Sequence, residues 1–178
     1  MHNPCEGLEP AFVEALNALL ADCAKSGAIL HPYFGLRDPV TQAKLWRQSR
    51  LTSEIERKRR ELVAAGATFL ARCIDIAGPQ NDPWATNALP GMSWHQWGFA
   101  CDCVWMRAGK GCFDVHADGA NNGYQIYAAK APLHGLTPLG PVIGDWDHVQ
   151  LPKESSPLHR YTLDAIDTLM EQKFGALV

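Results

Sequence analysis

Residues 93–102, Ser-Trp-His-Gln-Trp-Gly-Phe-Ala-Cys-Asp, hold His95 and Asp102 with one glycine, Gly98, between them. On an unbroken strand, rising about 3.3 Å per residue, these two side chains would stand about 23 Å apart on opposite faces. They can meet only if the chain bends, and Gly98 is the residue that permits a bend. The segment therefore predicts a turn over 96–99, followed by a strand that presents Asp102. A second segment, Gly-Asp-Trp-Asp-His-Val-Gln (144–150), offers Asp145 and His148. Two imidazoles and a carboxylate suit a divalent ion such as zinc, and three ligands leave a fourth tetrahedral position for water. Asp145 and His148 cannot both be ligands on a straight strand. His148 is expected to bind the ion, while Asp145, on the preceding bend, acts on the water.

The chain has 178 residues, 47% of them hydrophobic, enough to bury the core of one domain. A net charge of −3 argues against a nucleic-acid partner. The basic run Arg57–Arg60 is interleaved with Glu54, Glu56 and Glu61, which reads as a solvated helix face. No apolar stretch reaches the roughly 18 residues of a membrane span, so no membrane insertion is expected. The first ten residues, MHNPCEGLEP, have neither a basic start nor an apolar run. The expectation is synthesis in the cytoplasm without a signal peptide, followed by export or delivery.

Apolar residues at 12, 13, 16, 19, 20 and 23 predict a helix over 10–25 closed by Gly27, and 28–33 reads as a strand. Asp38 is a candidate N-cap with Pro39 at the first helical position, opening a helix to about Gln48. Thr52 or Ser53 is expected to cap a longer helix reaching about Ile76, with Gly66 inside it at a cost of about 1 kcal/mol relative to alanine. Residues 77–92 are a loop, 99–106 a buried strand and 109–111 a turn. A helix from Asn121–Gly123 should stop near Ala131, before Pro132. A second strand covers 145–151, and 158–173 is a final helix. The pattern is α+β: one domain over 1–178, with a small antiparallel sheet flanked by helices.

The blocks Ser93-x-His95-x-x-Gly98-x-Ala100-x-Asp102 and Asp145-x-x-His148 resemble the signature of the M15 zinc peptidases. That group includes D-alanyl-D-alanine carboxypeptidases and dipeptidases and phage L-alanyl-D-glutamate endolysins. Residues 35–50 are similar to the family's upstream block, in which an arginine follows a short strand and precedes a Gln-containing helix. The resemblance spans about 28–150 and implies the hedgehog-type DD-peptidase fold. It implies one zinc held by His95, Asp102 and His148, with Asp145 as general base. Arg37 would contact the substrate carbonyl or the developing oxyanion, and Ser93 would orient the substrate. The substrate would be a peptidoglycan stem peptide. The short aspartate at 145, where many members carry glutamate, is similar to phage-type members and points to an L-alanyl-D-glutamate endopeptidase. A D-alanyl-D-alanine carboxypeptidase or dipeptidase is the alternative, and a non-catalytic zinc-binding module is a third reading. Asp147, beside His148, competes with Asp145 as base or orients an imidazole.

Trp94 and Trp146 are candidates to face the substrate, and Gln150, on the same strand face as His148, to hold the site. His2, His31, His116, His134 and His159 are expected not to be ligands. Cys101 and Cys103 should point away from Asp102 into packing. Free buried thiols, a disulfide of Cys103 with Cys112 or Cys73, and thiolate ligation are the open readings for the cysteines. Action at the bacterial cell wall or periplasm is expected, by a monomer, with an immunity protein as partner if the chain is a secreted antibacterial toxin.

Overall fold

The 3.6-residue apolar period near the start of the chain becomes helix α1, Pro10–Lys25, which buries Phe12, Leu16, Leu19 and Cys23. The computed structural model describes residues 3–177. After α1 come β1 (Ile29–Phe34), α2 (Pro39–Arg47), α3 (Thr52–Ala64), α4 (Thr68–Ala77), β2 (Ala100–Arg107) and β3 (Lys110–Cys112). The chain continues through α5 (Gly123–Lys130), β4 (Thr137–Leu139), α6 (Gly140–Ile143), β5 (Asp145–Gln150) and α7 (Leu163–Phe174). The five strands form one antiparallel sheet ordered β1-β2-β5-β4, with β3 paired to β2. The α+β class and the antiparallel sheet are as expected.

The chain groups into two compact units. One runs to Leu36 and resumes over Trp97–Lys153; the other takes Arg37–Gln96 and continues from Glu154. In the first, one face of the sheet packs on α1 and α5. Cys101, Cys103 and Trp105 of β2 and Val149 of β5 join Phe12, Leu16, Leu19, Tyr124 and Tyr127 in its core. Each large apolar side chain buried there contributes about 1.5–3 kcal/mol. Strand alternation sends Asp102 to the opposite face, where it pairs directly with His148. The two cysteines flanking Asp102 thus point into packing, and all six cysteines are free thiols.

In the second unit Asp38 caps α2 as expected, accepting from the Thr41 backbone N–H at 2.9 Å and the Thr41 hydroxyl at 2.6 Å. Phe69, Leu70 and Ile74 of α4 and Ile166, Met170 and Phe174 of α7 are buried. Asp167 of α7 accepts from the backbone N–H groups of Phe69 (3.2 Å) and Leu70 (2.8 Å) in the first turn of α4.

Four expectations need correction. The helix expected over 52–76 is two helices, because Gly66 adopts φ +81° and ends α3 in a left-handed turn. Neither Thr52 nor Ser53 caps α3; Leu51 precedes it with no side-chain cap, and Thr52 is the first helical residue. The turn expected at 109–111 tightens to Ala108-Gly109, both with positive φ (48° and 76°), so that β3 pairs back on β2. The last helix starts at Leu163, since Leu158 belongs to a separate short turn over Pro157–His159. Strand β4 and helix α6 are too short to carry a readable period and went unanticipated.

Candidate active site

Gly98 has φ +81°, and a Cβ there would lie 3.0 Å from the Gly7 carbonyl oxygen. The Glu9 N–H donates to the Gly98 carbonyl at 3.0 Å, which clamps the bend. The chain therefore leaves a single 3-10 turn, Trp94–Trp97, and enters β2 at Ala100, as the glycine's position predicts. His95 sits on that turn, Asp102 on β2 and His148 on β5. One ligand atom from each of these three lies within 4.8 Å of the others. They are the one such group of histidine, cysteine and acidic side chains among the described residues. Neither Cys101 nor Cys103 joins it, nor do His31, His116, His134 and His159; His2 lies outside the described residues.

The donor set fits zinc. Tetrahedral zinc with bonds of about 2.0–2.1 Å holds its ligand atoms about 3.3 Å apart. His148 Nδ1 stands 3.0 Å from Asp102 Oδ1. His95 and His148 are buried and Asp102 is half-buried, which limits competition from water. Burial pulls the His148 pKa down, but its hydrogen bond to Asp102, the charges of Asp102 and Asp145 and the contact with Gln150 prevail, and the net shift is upward.

Asp145 is exposed at the start of β5, directly after Gly144, which turns at φ +81°. Its carboxyl neighbours that of Asp147, and the two can share a hydrogen bond only when one of them is protonated. Burial and the neighbouring Asp102 charge push the Asp147 carboxyl up to about 6, against a hydrogen bond donated by the Tyr33 hydroxyl. Tyr33 in turn packs edge-on against the exposed Phe113, ring centroids 5.9 Å apart. The sequence offered no signal for Tyr33, whose proximity to Asp147 comes from sheet order alone.

Arg37 is held by its unit. Its guanidinium Nη1 donates to Gln42 Oε1 at 2.9 Å, and its backbone N–H donates to the His95 carbonyl at 3.3 Å. Gln42 Oε1 also accepts from Gln96 Nε2 at 3.0 Å, while Gln42 Nε2 donates to the Ala88 carbonyl at 2.8 Å. Both glutamines are fully buried. Sequence reading passed over both; the one available clue was a glutamine on the helix that Asp38 caps. Ser93 accepts from the His95 N–H at 3.4 Å through its hydroxyl, and its own N–H donates to Gln96 Oε1 at 3.2 Å. Trp94 departs from the expectation of an open substrate contact. It is 2% exposed, its indole N–H donates to the Glu154 carbonyl at 2.7 Å, and Arg160 covers its ring. Packing of so large an apolar ring outweighs its display to solvent. Trp146 is half-buried and lies so close to Gly140 that a Cβ there would meet its ring at 2.6 Å.

Comparison with known proteins follows the same lines. Residues 6–130 match the family model for VanY, D-alanyl-D-alanine carboxypeptidase. Among solved structures, the chain is similar to the Serratia marcescens L-Ala D-Glu endopeptidase ChiX, at 20% identity over 84% of each chain and TM-score 0.45. It is also similar to a mutant of the vancomycin-resistance D,D-pentapeptidase VanY from a VanB-type cassette, in complex with Zn(II). That match has 18% identity over 93% of this chain and 79% of that one, with TM-score 0.43. A third match, VanYB in complex with D-alanine-D-alanine, has 19% identity over 93% of this chain and 78% of that one, with TM-score 0.42. None of the curated proteins compared matches. A family match over most of the chain, with two imidazoles and a carboxylate brought together as a hydrolytic zinc would need them, leads to one conclusion: the chain belongs to the VanY D-alanyl-D-alanine carboxypeptidase family.

Proposed function

We propose that the chain works as a single peptidase domain that uses one zinc ion to cleave peptidoglycan stem peptides at the L-alanyl-D-glutamate bond. The observation that carries this reading is the convergence of His95, Asp102 and His148 within 4.8 Å. Zinc, when bound, supplies a Lewis acid and lowers the pKa of a water toward about 7. Asp145 accepts a proton and returns it to the leaving amine. Asp147, which accepts from the Tyr33 hydroxyl, neighbours that carboxylate and when protonated can donate to it. Arg37 offers its positive charge to the carbonyl oxygen as it becomes anionic, a role for which removal of one donor typically costs about 3–4 kcal/mol. Ser93 and Trp146 orient the substrate, and Trp94, buried next to Ser93 in the chain, anchors that turn.

The aspartate at 145, which the family resemblance associates with endolysin-type members, favours the L-alanyl-D-glutamate bond. The description of the matching family favours a second reading, D-alanyl-D-alanine carboxypeptidase. Digestion of purified muropeptides, followed by mass spectrometry with a chelated control, separates them. A product beginning with D-glutamate supports the first reading and free D-alanine the second. No zinc-dependent product from either bond would leave a non-catalytic zinc-binding module. The reading places the protein at the cell wall as a monomer, with an immunity protein as partner if it serves as a toxin.

A further inference from the structure

We infer that Gln150 is a positioning residue that locks His148 in one tautomer and so decides which ring nitrogen faces the metal. The inference rests on the reading that His95, Asp102 and His148 hold zinc.

His148 and Gln150 alternate onto the same face of β5, and their direct partners on β2 are Asp102 and Ala100. Alanine is fully buried at position 100. Its single methyl leaves room for the Gln150 side chain to lie along the strand toward the imidazole. The amide is oriented by its other end: Gln150 Nε2 donates to the Pro152 carbonyl at 2.9 Å. A carbonyl oxygen can only accept, so the NH2 group must face Pro152 and Oε1 must face His148. Oε1 stands 3.2 Å from His148 Nε2. An amide oxygen is also only an acceptor, so His148 Nε2 must carry the proton. In the neutral ring that binds a metal the lone pair then falls on Nδ1, the atom 3.0 Å from Asp102 Oδ1; without the metal the Asp102 carboxylate, itself an acceptor, holds a second proton there. The chain Pro152 O, Gln150 amide, His148 ring therefore runs in one direction of donation. It ends with a lone pair aimed at the side where the Asp102 carboxylate lies. Gln150 is 1% exposed, so water does not readily replace it. Metal-ligating histidines commonly depend on an acceptor of this kind, and its loss typically weakens metal affinity by about 10–100-fold.

Two measurements test the inference, neither of which needs the substrate. Long-range 15N–1H correlation spectra of the full, zinc-loaded chain should show His148 protonated at Nε2, with Nδ1 shifted by the metal. Metal coordination through Nε2, or no proton on Nε2, in the zinc-loaded wild-type protein would overturn the inference without any variant. Zinc affinity by chelator competition should fall about 10–100-fold in Gln150→Leu. In Gln150→Glu, which keeps an acceptor oxygen, zinc should bind at least as tightly as in the wild type. Wild-type affinity in the leucine variant, or equal loss in both, would sink it. If Gln150→Leu does not fold, the glutamate variant and the wild-type spectra still decide. A wild-type chain that binds no zinc counts against the proposed function instead, whereas zinc-binding wild type with an indifferent Gln150 counts against this inference alone.

Discussion

His148 Nδ1 lies 3.0 Å from Asp102 Oδ1 because the two residues are direct partners across the antiparallel pair β2–β5. Side chains alternate with period two, so a slip of one residue would send His148 to the cysteine-lined core face and Val149 to the site. The core residues Cys101, Cys103 and Val149 therefore hold the register, and the register brings two of the three metal-type donors together.

Removing the proposed base and removing a ligand should have separable effects. Asp145→Ala is expected to lower turnover by about 10²–10⁴-fold while zinc content stays near one per chain. His148→Ala should lose both metal and activity, as should chelation of the wild type, with recovery on adding zinc. Elemental analysis beside a muropeptide assay reads this, and loss of zinc from Asp145→Ala would mean base and ligand are misassigned.

The zinc-free protein should carry a pH signature at Asp147. Burial first, then the Asp102 charge, raise this carboxyl to about 6 in the folded state. An ordinary aspartate titrates near about 4, so the folded state holds the proton more tightly than the unfolded chain. Its stabilising contribution is complete below about pH 4 and is lost as pH rises through about 6. Thermal melts of chelated wild type and Asp147→Asn, compared across that window, should show the wild type losing ground as pH rises. Parallel curves would refute it.

Gln42 should matter to Arg37 without touching the ion. Gln42→Leu removes the acceptor shared by Arg37 Nη1 and Gln96 Nε2. Leaving buried donors without that partner costs about 1–3 kcal/mol. We expect a lower kcat with zinc affinity within about twofold of wild type, since the bonds of Gln42 go to Arg37, Gln96 and Ala88 rather than to a metal-type donor. A variant with unchanged kcat would argue that Arg37 needs no such support.

Asp167→Ala should destabilise the protein by about 1–3 kcal/mol, because two buried N–H groups at the start of α4 lose a charged acceptor. Urea denaturation measures this directly, and a midpoint equal to wild type would mean solvent replaces the carboxylate there.

Gly98→Ala tests the bend itself. A left-handed φ of +81°, with the Gly7 carbonyl 3.0 Å from the new Cβ, should cost about 1–3 kcal/mol. Zinc affinity should fall as well, since Gly98 stands in the chain between two of the metal-type donors. Undiminished stability and affinity together would show that the bend does not depend on glycine.

Features whose cause is local are legible along the chain. α1 follows from apolar spacing, the α2 cap from Asp38-Pro39, and the bend from a glycine placed between two ligand-type residues. Strand alternation was enough to send Cys101 and Cys103 inward and Asp102 outward. Features that depend on partners distant in the chain emerge on folding. The capping of α4 by Asp167 joins residues 97 and 98 positions apart, and the Tyr33–Asp147 hydrogen bond spans 114. No local period encodes such pairs. The same reason accounts for Trp94: its indole N–H found an acceptor at Glu154, 60 residues on, and burial followed. Local propensity and periodicity are properties of neighbouring residues, whereas packing and hydrogen-bond satisfaction are settled only when remote segments meet.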